Sequence, residues 1–199
     1  DNQGAFWIFG GYGYDSAGTL GGLGDFWKFA NGMWTWVGGS NLVNPVANYG
    51  ALGAAAATND PGARENPTGW VDAMGRLWMF GGTAGHDVKE LNDVWMFDGT
   101  NWTWVSGSNM ADVLGTYGTV GVAAASGPGG RDVATVWADS TGAVWIFGGW
   151  GLGSAGLRRS TPARSMSVSW TALASWRSAG ETGRPSAMAE ATRAGASAP

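Results

Sequence analysis

The chain has 199 residues, 36 of them glycine and 14 tryptophan, and only 13% are charged; so apolar and aromatic a composition excludes a wholly disordered chain, and the glycines lack the three-residue period of collagen. With no cysteine and a single histidine, His86, disulfides, thiol chemistry and cysteine-ligated metals are excluded within this sequence. Residues 1–156 hold five basic and thirteen acidic side chains, a charge of −8, against +4 for residues 157–199; an acidic body repels phosphate backbones, so no nucleic-acid partner is expected.

The predicted elements repeat along the chain. Phe6-Trp7-Ile8-Phe9-Gly10-Gly11 returns as Leu77-Trp78-Met79-Phe80-Gly81-Gly82 and as Val144-Trp145-Ile146-Phe147-Gly148-Gly149, at spacings of 71 and 67. Leu23-Gly24-Asp25-Phe26-Trp27-Lys28-Phe29 returns after 68 residues as Leu91-Asn92-Asp93-Val94-Trp95-Met96-Phe97. Trp34-Thr35-Trp36-Val37 returns after 68 as Trp102-Thr103-Trp104-Val105. Arg64, Trp70, Asp72 and Gly75 return after 67 as Arg131, Trp137, Asp139 and Gly142. Long-period self-similarity of this kind marks a repeat architecture.

The most complete copy predicts four strands, near 67–72, 76–81, 91–97 and 102–105. Asp72 to Gly75 and Asp98 to Asn101 supply turns between them, and the second strand is expected to end on its double glycine. The strands are apolar on both faces: Phe6 and Ile8 oppose Trp7 and Phe9, and Val94 and Met96 oppose Trp95 and Phe97. A half-exposed sheet would alternate apolar with polar. Small antiparallel sheets stacked face to face around an axis cover both faces, which is a β-propeller.

The double glycine after an apolar strand, then Leu-Asn-Asp-x-Trp-x-Phe, then a tryptophan opening the last strand, resembles the kelch repeat. The resemblance covers residues 1 to about 156. Phe29 and Phe97 stand where kelch repeats usually carry tyrosine, and the 67–71-residue period exceeds the kelch period of about 50. The long form is similar to bacterial multi-kelch proteins, which implies a secreted or cell-envelope setting. The expected fold is all-β, a partial kelch-type propeller of about two to two and a half four-stranded blades. The blades fall at about 1–37, 64–105 and, incomplete, 131–156, nine strands in all. Propellers close with four to eight blades. The chain is therefore expected to be a fragment of a longer one, or else to self-associate through exposed blade faces.

Past Gly156 the repeat stops. Ala, Ser and Arg make up 24 of the last 43 residues, and Thr161-Pro162-Ala163-Arg164 stands where a third Leu-x-Asp-x-Trp-x-Phe is due. Residues 157–199 are expected to form an irregular tail without a packed core, with a reading-frame slip as its origin and a basic interaction arm as the alternative.

In an up-down-up-down blade, the second connection and the blade-to-blade link share one face. The long connections 12–22, 83–90, 38–63 and 106–130 all fall there, and loops on a rigid scaffold carry binding. The candidate ligand residues on that face are Tyr12, Tyr14, Asp15, His86 and Asp87. Tyr49 and Tyr117 recur in step and are expected to pack loops. Asp25 and Asp93 are expected to fix loops rather than bind metal, and Arg64 and Arg131 to bond carbonyls between blades. Asp112 also lies in these loops.

No metal-ligand cluster, nucleophile motif or phosphate loop is present in the sequence, and no cofactor is expected. The copper radical oxidases resembling galactose oxidase need a cysteine-linked tyrosine and two histidines, which this sequence cannot supply. The function expected is a non-catalytic interaction or scaffold module binding a protein or a glycan through the long-loop face. The alternative is a fragment of a carbohydrate-active kelch enzyme whose catalytic groups lie elsewhere. No apolar run approaches the ~20 residues of a membrane helix.

Overall fold

A computed structural model describes residues 1–85 and 89–154, and the backbone of 158–160. The chain divides into two units, 1–163 and 164–199, and all described residues belong to the first. They are all β, in small antiparallel sheets with the arrangement of a partial propeller. Among the described residues no helix is long and apolar enough to cross a membrane.

The first sheet holds β1 (Phe6–Tyr14), β2 (Leu20–Ala30) and β3 (Met33–Gly38), in that order. The second holds β4 (Thr68–Val71), β5 (Leu77–Ala84), β6 (Lys89–Phe97) and β7 (Trp102–Ser106), also in chain order. The third repeat is split. β9 (Thr135–Ala138) pairs with β10 (Val144–Phe147), while β11 (Trp150–Leu152) lies between β8 (Arg131–Asp132) and β12 (Arg158–Ser160). The three strands beyond the nine expected are these short pieces, β8, β11 and β12. The sheet of β8, β11 and β12 thus runs to Ser160, within the expected tail that starts at 157; residues 161–199 lie outside the described residues.

The same turn leads into β1, β5 and β10. Asp72 accepts at Oδ1 from the Met74 and Arg76 amides and at Oδ2 from Trp78 Nε1. Asp139 does the same with Thr141, Ala143 and Trp145, and Asp1 with Gln3, Ala5 and Trp7. A short carboxylate side chain mimics a turn of backbone here, and Gly75 and Gly142 supply the positive φ that closes it.

The first two double glycines do not end their strands as the sequence alone predicts, since β1 and β5 run through them as bulges, whereas β10 does stop at Phe147, before Gly148 and Gly149. Gly10 and Gly11 have φ of 59° and 111°, and Gly81 and Gly82 of 62° and 93°. The cause is a backbone crossing. A Cβ on Gly10 would lie 2.6 Å from the Arg64 carbonyl oxygen, and one on Gly81 2.5 Å from that of Arg131. The connection expected at 12–22 is therefore strand for much of its length, and only Asp15 to Thr19 turn the chain. Likewise β5 and β6 cover all of 83–90 except 85–88.

The first two sheets pack face to face. Phe26 lies 5.0 Å from the ring of Phe97 and 5.2 Å from that of Trp102, with Trp7 and Phe9 beside it. The second sheet is the core: Met79, Phe80, Leu91, Trp95 and Phe97 are buried, because a sheet covers each of its apolar faces. Thr68 Oγ1 donates to the Ala134 carbonyl on its far side. Among the described residues nothing covers the second face of either outer sheet, and Trp34, Trp36, Trp137 and Trp145 are exposed there.

The linker from β3 to β4 belongs to both sheets. Its backbone bonds back to the first: Asn44 N–H donates to the Gly22 carbonyl, Arg64 N–H to Leu23, and Gly11 N–H to Arg64. Its side chains reach forward to the second.

Candidate functional site

The forward contacts form a buried lock. Arg64 and Asp93 are both fully buried and pair through two N–O contacts of 3.0 Å. Arg64 also donates to the carbonyls of Gly81 and Pro61. Asp93 Oδ2 accepts from Trp95 Nε1 at 2.7 Å and from the Tyr49 hydroxyl at 2.8 Å. The Tyr49 ring sits 5.1 Å from both Trp95 and Trp104. Burial and the neighbouring Asp93 charge push the Tyr49 hydroxyl pKa up, so this tyrosine holds its proton and donates. Asp93 spends its lone pairs on a guanidinium, an indole and a phenol, and Tyr49 packs its loop, in keeping with the expectation for each.

Arg131 repeats part of this, donating to the Gly129 and Gly148 carbonyls. Tyr117, however, is 68% exposed, unlike Tyr49. Asp25 accepts from Trp27 Nε1 at 2.6 Å, as Asp93 does from Trp95. Asp112 and Asn44 are matched residues with positive φ. Asn44 Oδ1 accepts the Gly22 amide and Asp112 Oδ1 the Glu90 amide, so both anchor linkers to strands.

Of the candidate ligand residues, the structure brings three together. Tyr12 and Tyr14 lie on β1, not in a loop; two residues apart, they share a face and are 45% and 73% exposed. Asp15 follows at the hairpin tip. Its Oδ1 accepts the Ala17 and Thr19 amides and its Oδ2 the Val43 amide. Backbone donors from Thr19 and Val43 hold its carboxyl below the usual range, which makes Asp15 a turn-fixing group as well as a rim residue. His86 and Asp87 lie outside the described residues. Tyr14 and Asp15 border a cavity of about 420 Å³ whose floor is Asp25, Trp27 and Trp36. Sequence reasoning missed these three as a site. The signal was present, since each matches a residue of the buried lock at an offset of 68.

No protein-family model matches the sequence, and no curated protein matches it.

Proposed function

We propose that this chain is part of a kelch-type propeller and acts as a non-catalytic interaction module, binding a protein or a glycan through the face that carries the β1–β2 hairpin tip and the long linkers. The observation that carries the reading is the pair of exposed tyrosines, Tyr12 and Tyr14, side by side on the projecting end of β1. Aromatic rings with a polar tip are favoured contact residues, offering area at low entropic cost. The bulge at Gly10–Gly11 sets their direction, and the Asp15 turn fixes the tip. The kelch reading is supported by the four-stranded second sheet and by the glycine pairs recurring at linker crossings.

The test is a printed glycan array probed with the full chain and with Tyr14→Ala. Binding that falls about tenfold or more in the variant supports glycan recognition by this face. Binding that the variant leaves unchanged overturns the site. Release of product from a bound glycan overturns the non-catalytic reading.

A further inference from the structure

The turn between β2 and β3 carries a chemistry of its own. It has two residues, Asn31 and Gly32, since Ala30 pairs directly with Met33. Both have positive φ, 53° and 78°, as a type I′ hairpin turn requires, and Asn-Gly is favoured there for that reason. Both are exposed. The exposure belongs to the place in the blade. The matching turn of the second sheet, Asp98 to Thr100, is exposed too, although that sheet is covered on both faces.

The sequence has ten asparagines, and Asn31 alone precedes a glycine. A glycine nitrogen is unshielded by a Cβ, and a Cβ built at Gly32 would meet nothing within 4 Å. Asn44 and Asn66 precede prolines, whose nitrogen carries no proton to give up. The Nδ2 groups of Asn2, Asn48, Asn59 and Asn92 donate to main-chain carbonyls. Among the described residues no hydrogen bond holds the Asn31 amide group.

We propose that Asn31–Gly32 is a site of spontaneous modification, where the Gly32 nitrogen converts Asn31 to aspartate and isoaspartate. The nitrogen gives its proton to hydroxide and bonds to Asn31 Cγ. The Cγ–Nδ2 bond breaks, and ammonia leaves with a proton from water. The product is a cyclic imide, which water opens. Cleavage at Cγ leaves aspartate. Cleavage at the main-chain carbonyl carbon leaves isoaspartate, whose chain runs through Cγ and is longer by a methylene. A two-residue turn has no place for the added atom, so β3 loses its pairing to β2 at Met33 and Trp34. Both products add a negative charge.

The fold restrains this step. A type I′ turn fixes the dihedrals on both sides of the Asn31–Gly32 bond, and the nitrogen must swing toward Cγ, so the turn has to open first. Asp98-Gly99 offers the same ring closure in the second repeat, but Asp98 Oδ1 accepts the Thr100 and Asn101 amides. Those donors hold its carboxyl below the usual range, and the nitrogen does not attack an ionised carboxylate. The inference stands apart from recognition through the β1–β2 tip.

The experiment is incubation of the full chain at mildly alkaline pH, folded and in urea, followed by digestion and mass spectrometry, with chromatography to separate the two acid forms. The Asn31 peptide is expected to convert in both states while the other nine asparagines stay amides. The folded chain should convert about tenfold or more slowly, the factor for an opening free energy of about 1.4 kcal/mol. Gly32→Ala, compared in urea where folding plays no part, should lose most of the conversion. Conversion first at another asparagine overturns the proposal, as does a folded chain that keeps Asn31 intact throughout. A folded rate equal to the unfolded one, or a Gly32→Ala rate equal to wild type, overturns it as well.

Discussion

Asp93 accepts four hydrogen bonds in a place without water access. Removing its charge while leaving its shape tests what that place demands. Asp93→Asn strands the buried Arg64 guanidinium, and loss of one partner from a buried ion pair costs about 3–5 kcal/mol. Asp25→Asn, which strands no guanidinium among the described residues, should cost about 1 kcal/mol. Urea denaturation of the two variants checks the contrast. The turn carboxylates give a second prediction. Hydrogen bonds from Thr141 and Trp145 hold Asp139 down to about 2, and backbone donors from Asn101 and Thr100 lower Asp98. In Asp72 burial pushes upward but bonds from Trp78 and Arg76 outweigh it. A lowered carboxylate stabilises the fold fully above the ordinary value of about 3.9, and the contribution is lost as pH falls through the folded-state value. Asp132, raised by burial, contributes in the opposite sense, losing its stabilisation as pH rises. The melting temperature should therefore fall as pH is lowered from about 5 to about 2, and Asp139→Asn should flatten part of that fall. At this scale the sequence was informative where partners are close. Asp72 and Asp139 could be read as turn residues because the groups they bind lie within six positions. The Tyr49–Asp93 bond spans 44 residues, and no local pattern announces it.

Among elements, the glycine pairs show what period and propensity miss. Two glycines after an apolar run read as a strand end, because glycine weakens strands. The reason they stand inside β1 and β5 is the carbonyl of a linker residue about fifty positions further on, a non-local fact. That crossing can be tested. Gly81→Ala places a methyl 2.5 Å from the Arg131 oxygen and 2.8 Å from that of Leu91, at a φ of 62°. Gly121→Ala, at a φ of 79° with nothing within 4 Å, isolates the backbone cost of about 1–2 kcal/mol. Gly81→Ala should lose clearly more than that in the same denaturation assay. The four strands of the second repeat, by contrast, were legible nearly to their ends. Alternating aromatic and β-branched residues between Asp-Gly-type turns set them locally.

For the molecule as a whole, burial is concentrated in the middle sheet. Opening free energy follows buried contact, so amide exchange should be slowest in β5 and β6, faster in β1 and β2, and fastest in β3, β9 and β10. Hydrogen exchange by mass spectrometry checks the order; equal protection in all sheets would mean that the outer faces are covered in solution. The all-β architecture and its repeat could be read from offsets alone. That Tyr12, Tyr14 and Asp15 lie near one another could be read from their spacing, but the cavity beside them could not, because Trp27 and Trp36 match positions that Tyr49 covers in the second sheet.

The linker before β4 bonds backward through its main chain and forward through its side chains. Stability in this molecule is therefore a property of junctions, as in a one-dimensional array of coupled neighbours, and the natural period does not coincide with a blade. It runs from one close-packed glycine to the next: Gly39, whose Cβ would meet the Gly24 carbonyl, and Gly107, whose Cβ would meet that of Asn92. A tandem array built from residues 40–107 would carry a complete lock in every copy. One built from residues 6–38 would carry none, and its sheets would have nothing to hold them in series.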